Sequence, residues 1–367
     1  MIPTNLTIGL ISPLPPPSGG MANQTLQLVE LLCSEGITVE LIQMNAPYRP
    51  QWIVHFKGIR ALFRLLPYLM RLWKTTGKVR LFHVKANSGW SWHLFAAPAV
   101  WIAYLRGIPV MVSYHGGEAE TFFSNSFYSV ALTLRRTNAI VVPSRFLQQV
   151  FEKFDFKSRI VPNIINLERF HYREPALSQA PKILVARNLE QIYDNATALH
   201  AFHIILERYP AATLTIAGSG PEKETLEQLA LDLGIKSAVT FTGRVENEHM
   251  PLLYSNADIF INPSLADNMP ISVLEALATG VPVVSTNVGG VPFLVEDGKT
   301  ASLVPPENPE SMAKAVLELL DNPETAIRMS VAGLERAQQF SWQNVRDRLM
   351  NVYHEVLTEP GKLQAAK

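Results

Sequence analysis

The residues of this 367-residue chain best suited to chemistry gather in one stretch, Pro263 to Ser285 (PSLADNMPISVLEALATGVPVVS). Pro270 suits the first turn of a helix, Gly280 its end, and Pro282 forbids continuation, so the spacing predicts a helix of about ten residues pinned at both ends. The backbone N–H groups of Ile271 and Ser272 at its start would make an anion site. Within it Glu275 stands among Val273, Leu274, Ala276, Leu277 and Ala278. A carboxylate in so apolar a setting is costly unless something hydrogen-bonds it. Ligand hydroxyls are one candidate partner and a protein cation elsewhere is the other. Asp267 and Asn268, converging on the same helix start, favour the ligand.

Other residues with chemical potential also follow apolar runs. Arg187 ends the run Lys182 to Ala186, where a guanidinium either pairs with a diphosphate or makes an ordinary surface ion pair. Gly218-Ser219-Gly220 follows Thr213 to Ala217 and resembles a dinucleotide-binding turn, but the third glycine of that pattern falls at Lys223. Nearer the N-terminus, the loop from Ser12 ends in Gly19 and Gly20. Bare backbone there would let a ligand approach the start of a helix, although the prolines equally read as a stiff turn. His115 precedes Gly116 and Gly117. An imidazole beside two glycines is well placed to touch a substrate, whereas spacing alone favours a structural histidine.

The elements that must position these groups alternate along the chain. Short β-rich runs and helical patterns follow one another from end to end, the sequence form of a parallel sheet wrapped by helices. Strands are predicted at Leu6–Ser12, Thr38–Ile42, Val79–Val84, Pro109–Tyr114, Ala139–Val142 and Ser158–Pro162. A second set is predicted at Lys182–Ala186, Thr213–Ala217, Ala238–Thr242, Asp258–Asn262, Val281–Ser285 and Ser302–Val304. The fold class is therefore α/β, with two doubly wound domains over residues 1–165 and 181–340. Residues 163–180, polar and aperiodic, read as the linker. The last helical pattern, Trp342 to Leu357, is free to pack on either domain.

Composition narrows the function classes. Hydrophobic residues make up 47% and charged ones 17%, which describes a globular chain. Lys plus Arg equals Asp plus Glu at 32 each, so no global field draws the protein to nucleic acid, which is not expected as a partner. A single cysteine, Cys33, in an apolar helical pattern excludes an internal disulfide and a Cys-based zinc site and suits a reducing cytoplasm. The N-terminal residues lack the features of a signal peptide. The longest apolar run, Leu94 to Tyr104, is too short to span a bilayer, for which about 20 residues are needed. Residues 51–80 intersperse Lys57, Arg60, Arg64, Arg71, Lys74, Lys78 and Arg80 with Phe56, Ile59, Leu62, Phe63, Leu66, Leu69, Leu72 and Trp73. That composition fits peripheral contact with an anionic membrane, or an ordinary amphipathic helix whose apolar stripe packs on the sheet.

Taken in order, the Gly19-Gly20 loop, His115-Gly116, VPSRFLQQVF, VPNIINLERF, Arg187, AGSGPEKETLEQLA, VTFTGRVENEHMPLLYSNADIFINPS and the block from Asp267 to Glu275 resemble the retaining glycosyltransferases of family 4, the group 1 transferases. The resemblance implies the GT-B fold, two Rossmann-like domains facing across a cleft. It implies transfer of a sugar from a nucleotide-diphosphate sugar to a glycan or lipid-linked acceptor, with retention of anomeric configuration. Arg187 is then expected on the donor diphosphate, Arg244 and Val245 around the base, and Glu275 on ribose hydroxyls. Asp267 and the backbone of Asn268, Met269, Pro270 and Ile271 are expected on the donor sugar and phosphates, with Gly20 and His115 across the cleft. His115 and Asp267 lie at the reacting sugar in this scheme, His115 positioning it rather than acting as a base, and Gly19 and Gly218 complete the donor-binding set. Neither metal nor cofactor is expected, the nucleotide sugar being a substrate, and the chain has no Asp-x-Asp triplet.

Three positions depart from the family pattern. Ala186 replaces a glycine before Arg187, and Ile192 and Tyr193 stand where a lysine is usual, which removes one of two diphosphate cations. Asp267 replaces a glutamate, and Phe293 replaces another after Gly289-Gly290. The missing lysine implies a slow enzyme, or else a non-catalytic protein that binds nucleotide sugars. Nucleotide-sugar 2-epimerases share the architecture, but the Asp267 to Glu275 block argues against them.

Overall fold

The computed structural model describes residues 6–16, 19–48, 52, 55–56, 60–176 and 178–358. Its first sheet contains β1 (Thr7–Ser12), β2 (Thr38–Gln43), β3 (Leu81–Ala86), β4 (Val110–Tyr114), β5 (Ala139–Val142) and β6 (Arg159–Ile160), all parallel, in the order β2-β1-β3-β4-β5-β6. The connecting helices are α1 (Gly20–Ser34), α2 (Arg60–Thr75), α3 (Ala97–Leu105), α4 (Ala119–Leu134) and α5 (Arg145–Lys153). The second sheet contains β7 (Lys182–Ala186), β8 (Thr213–Ala217), β9 (Val239–Gly243), β10 (Ile259–Asn262), β11 (Val283–Thr286) and β12 (Ser302–Val304), in the order β12-β11-β10-β7-β8-β9. Its helices are α6 (Asn195–Arg208), α7 (Lys223–Asp232), α8 (Met250–Ser255), α9 (Ile271–Thr279), α10 (Val291–Leu294), α11 (Pro309–Asp321) and α12 (Pro323–Gln338), and α13 (Trp342–Thr358) ends the described chain.

Every predicted strand is present, with ends displaced by at most two residues. β11 begins at Val283 rather than Val281 because Pro282 has no N–H to give a ladder. The inner strands β3, β4 and β5 are buried on both faces, as the interior of a parallel sheet requires. In the first sheet Phe82, Val84, Val112 and Tyr114 join a core with residues of α2 to α5. In the second, Ile183, Val185 and Ile216 face one core and Leu184, Ala186 and Phe260 another.

The chain divides into two compact units, Met1–Pro162 with Val345–Lys367, and Asn163–Asn344. Residues 163–180, expected as a linker, instead belong to the second unit. Ile165 and Phe170 lie in its core, and the Ile165 and Arg173 amides donate to the carbonyls of Phe340 (3.0 Å) and Thr279 (2.8 Å). This irregular chain buries apolar residues without helical or strand periodicity, which is why its pattern reads as a connection. α13 packs on the first unit, where the Tyr353 hydroxyl is 2.8 Å from His83 Nδ1 and Glu355 pairs with Arg159 at 2.9 Å. Cys33 is exposed on α1 rather than enclosed by its apolar neighbours.

In each sheet the direction of strand addition reverses once, between β1 and β3 and between β7 and β10. The crevice beyond the carboxyl ends of strands at such a reversal is where open parallel sheets take their ligands.

Candidate active site

At the second reversal Arg187 directly follows β7 and Asn262 ends β10. The Arg187 Nε donates to Asn262 Oδ1 at 2.7 Å, and its Nη2 forms an ion pair with the Asp267 carboxylate. The two paired side chains are only 11% and 13% exposed, so this is no ordinary surface pair. Asn262 is itself fixed, its amide donating to Ser285 Oγ (2.9 Å) and its carbonyl accepting from Ser264 Oγ (2.9 Å). The Tyr193 ring lies under the guanidinium, 5.3 Å from Cζ to ring centroid. Arg187 is thus held in place by three different elements.

Burial raises the Asp267 pKa above the ordinary carboxylate range, and the opposing charge of Arg187 and the Asn268 amide, 2.9 Å from Oδ1, offset only part of that. The loop carrying Asp267 rests on a glycine pair. The Gly290 amide donates to the Asp267 carbonyl at 2.9 Å, and a Cβ on Gly289 or Gly290 would collide with the carbonyl oxygens of Asp267 or Asn268.

Pro270 sits just outside α9 as its N-cap, with ψ 117°, rather than inside the first turn as its type predicts. Gly280 ends the helix with φ +83°, a conformation that favours glycine. A proline offers no side-chain cap, so the amides of Ile271 and Ser272 keep the positive end of the helix open. The Ser272 hydroxyl beside them is buried and has no partner among the described residues. Glu275 is buried one turn on, and burial pushes its pKa up to about 7, with the Tyr254 hydroxyl and the charges of Arg169 and Arg187 opposing. The Tyr254 hydroxyl is buried and lacks a partner of full hydrogen-bond geometry among the described residues, yet it is close enough to Glu275 to shift its ionisation. A cation, an open helix start and a buried carboxyl whose pKa burial raises therefore share one sheet edge. Such a set accepts a ligand with an anionic part and a hydroxyl-bearing part.

The remaining predicted residues fall in different settings. Gly218 follows β8, and a Cβ there would collide with the Arg187 carbonyl, so its small size already has a packing reason. Arg244 is exposed after β9 with Glu246 at 4.0 Å, while Val245 packs on the core that also buries Met269. The Met269 side chain is enclosed and its carbonyl accepts from Asn163 Nδ2 at 3.1 Å, leaving its amide as the group it can offer. In the first unit, a Cβ on Gly19 or Gly20 would meet open space, so packing does not demand glycine at either. His115 follows β4, its amide donating to the Ala86 carbonyl at 2.9 Å. Burial and then the charge of Lys85 lower its pKa to about 3, so the imidazole is neutral. Gly116 is different again, since a Cβ would strike Ser88 Oγ and the Tyr114 hydroxyl.

Sequence reasoning missed Asn262, Ser264, Tyr193 as an aromatic support, Tyr254 and Lys85. Asn262 alone left a signal, a polar residue closing the apolar run Ile259–Asn262.

Residues 18–169 match the family described as Glycosyltransferase Family 4, and residues 168–336 match Glycosyl transferases group 1. The chain is 33% identical to a D-inositol 3-phosphate glycosyltransferase of Corynebacterium urealyticum over 47% of its own length and 42% of that protein's, less than half of the relative. It is 23% identical to a phosphatidyl-myo-inositol mannosyltransferase of Mycobacterium leprae over 98% of the chain and all of the relative. Its fold is similar to that of Anabaena Alr3699/HepE in complex with UDP and glucose, with a TM-score of 0.75 at 16% identity, covering 95% of this chain and 100% of that one.

Proposed function

Since the chain belongs to the group 1, family 4 glycosyltransferases and has their GT-B fold, we propose that it moves a sugar from a nucleotide-diphosphate sugar to a hydroxyl of a glycan or lipid-linked acceptor. The observation that carries this reading is the Arg187 guanidinium, fixed by Asn262 and Asp267 beside the open start of α9. As the bond between the anomeric carbon and the diphosphate oxygen breaks, negative charge grows on the diphosphate. Arg187 and the Ile271 and Ser272 amides stabilise it there. The acceptor oxygen bonds to the anomeric carbon on the face the diphosphate leaves, and the departing diphosphate takes the acceptor proton, so configuration is retained and no metal is needed. Glu275 binds ribose hydroxyls, Arg244 and Val245 flank the base, and neutral His115 hydrogen-bonds the sugar as the transferred hexose is held by Asp267. The UDP and glucose of the Anabaena complex support a nucleoside diphosphate and a hexose as the two halves of the donor. Release of nucleoside diphosphate from a panel of nucleotide sugars, with the product's anomeric configuration read by NMR, tests the proposal. Donor binding without release for every acceptor tried would instead favour a non-catalytic binder, the reading that Ile192 and Tyr193 in place of a lysine support.

A lipid-linked acceptor, as in the name of the mycobacterial relative, would bring the enzyme to the cytoplasmic face of a membrane. No helix among the described residues is long and apolar enough to cross a bilayer. α2 has apolar residues on two faces. Leu65, Tyr68, Leu69 and Leu72 pack inward, while Leu62, Phe63, Leu66, Met70 and Trp73 stay exposed on a helix that also carries Arg71 and Lys74. The inward stripe satisfies the core, so the outward one is surplus to folding and supports peripheral contact. Residues 51, 53, 54 and 57–59 of the predicted segment, with Lys57 and Ile59, lie outside the described residues. The protein should float with anionic vesicles and remain behind with neutral ones, and Leu66→Glu should abolish flotation. Equal recovery with both vesicle types counts against membrane contact.

A further inference from the structure

The first sheet has its own reversal, between β1 and β3, and the loop that leaves β3 there runs Asn87-Ser88-Gly89-Trp90-Ser91. Gly89 turns the chain with φ +71°, and its carbonyl accepts from the Trp92 amide at 3.1 Å. The two tryptophans either side of Ser91 end in opposite settings. Trp92 is fully buried near Tyr114 and Phe122, whereas Trp90 is 78% exposed and leaves most of its apolar surface in water.

Exposure has not left Trp90 without support. Its ring meets that of His93 at 70° with centroids 6.2 Å apart, His93 meets Phe122 at 5.7 Å, and Phe122 meets Trp92 and Phe123 in the core. His93 stands in one π-helical turn, Trp92–Ala96, that runs into α3, and such turns are frequent at functional sites. A row of aromatic contacts therefore leads from the core to a solvent-facing indole. The same loop carries polar groups. Asn87 is exposed, its Oδ1 accepts the Ser88 amide at 2.9 Å, and its Nδ2 has no partner among the described residues. The Ser88 Oγ lies 2.7 Å from the Tyr114 hydroxyl. Both side chains press on Gly116, where a Cβ would strike Ser88 Oγ, the Tyr114 hydroxyl and Asn87 Oδ1, so a side chain there would push them out of place.

The loop has no charged residue, which fits a neutral ligand better than a phosphate or an anionic head group. Asn87, Ser88 and Ser91 fit a hydroxylated ligand better than an acyl chain. A sugar ring has both characters, an apolar face of C–H groups and a rim of hydroxyls. Resting on the transferase reading above, we propose that Trp90 determines acceptor specificity. Its indole stacks on the C–H face of an acceptor sugar ring, and Asn87 Nδ2 and Ser88 Oγ hydrogen-bond the ring hydroxyls. Of the two acceptor classes, this selects a glycan recognised through its own sugar.

The test is binding by the full chain and needs no turnover. The probes are methyl glycosides of glucose, mannose, galactose and N-acetylglucosamine, read by saturation-transfer NMR and by the Trp90 indole N–H resonance, identified as the one missing from Trp90→Phe. At least one probe should receive saturation mainly on one ring face and move that resonance. Trp90→Ala should weaken it by about tenfold or more, Asn87→Ala by less, and Trp90→Phe should keep part of the affinity. Trp90→Ala should bind a nucleoside diphosphate normally, which shows that it is folded, and Arg187→Ala should still bind the glycoside. Where transfer occurs, Trp90→Ala should raise the acceptor KM and leave the donor KM unchanged. Glycoside binding without any transfer keeps Trp90 as a sugar site and defeats the transferase reading alone. Transfer with an unchanged acceptor KM in Trp90→Ala defeats this proposal alone. It is also overturned if no probe binds, if Trp90→Ala binds the glycoside normally, or if that variant loses only vesicle flotation, which would give the indole to a bilayer.

Discussion

Glu275 titrates differently before and after folding, and that difference can be measured. Unfolded, its carboxyl loses its proton near the ordinary value of 4.5, and folded near 7. Between those values the native state holds a proton that the unfolded state has released, so this group's contribution to stability falls as pH rises through the window. Above about pH 7 the cost of the buried charge is complete. Glu275→Gln should therefore stabilise the protein at pH 8 by on the order of 3 kcal/mol, because each tenfold change in an ionisation constant corresponds to about 1.4 kcal/mol. The gain should vanish toward pH 4. A gain of equal size at pH 4 and pH 8 in thermal unfolding would show that the carboxyl is not desolvated. Arg187→Ala acts on ligand rather than on pH, since loss of a charged hydrogen bond weakens binding by roughly ten to more than a hundredfold. Calorimetry with nucleoside diphosphates that gives an unchanged affinity would remove Arg187 from the site. Both residues were legible in the sequence because each interrupts or closes an apolar run. Asn262 also closes an apolar run, but nothing local marks it, or Tyr193, as a partner of Arg187. Asn262 lies far along the chain from Arg187 and Tyr193 contributes only a ring face, and neither relation has a local pattern.

Among elements, the loops at the strand ends depend on glycines of two kinds. Gly290 presses against the Asn268 carbonyl, so Gly290→Ala forces the Asp267 loop away from its turn. Gly20 opens α1 with free space around it and without a positive φ, so Gly20→Ala suits the helix and should leave the thermal midpoint unchanged or slightly higher. If the Gly20 backbone approaches a ligand, that same variant should lose turnover. The expected pair is a lowered midpoint for Gly290→Ala, and an intact midpoint with impaired transfer for Gly20→Ala, read by calorimetry and nucleotide release. Full activity in Gly20→Ala would return that glycine to the status of a turn residue. The alternation of strands and helices was readable because apolar runs and turn residues are local. The two glycine classes were not, since they differ only in what stands opposite them.

For the whole molecule, composition and pattern indicate two α/β units and leave the last helical pattern free to pack on either. The structure assigns α13 to the first unit, where Tyr353 finds its partner in His83, 270 positions earlier. Val345, Leu349, Val352 and Val356 are buried with it. A chain ending at Ser341 should lose the cooperative unfolding of the first unit while the second still binds nucleoside diphosphate. Retention of both transitions in calorimetry would show that α13 is dispensable. The returning helix also bears on how the protein is made. Some two hundred residues separate β6 from the end of α13, and at about 5 to 20 residues per second a ribosome takes roughly ten to forty seconds to cover them. Throughout that interval the first unit is complete in strands, and α1 is in place beside Ser12, but the helix that meets His83 has yet to be made. The earlier half of the nascent chain therefore waits on the later half, and a ribosome that stalls within α12 leaves behind an open sheet face for chaperones or proteases to find.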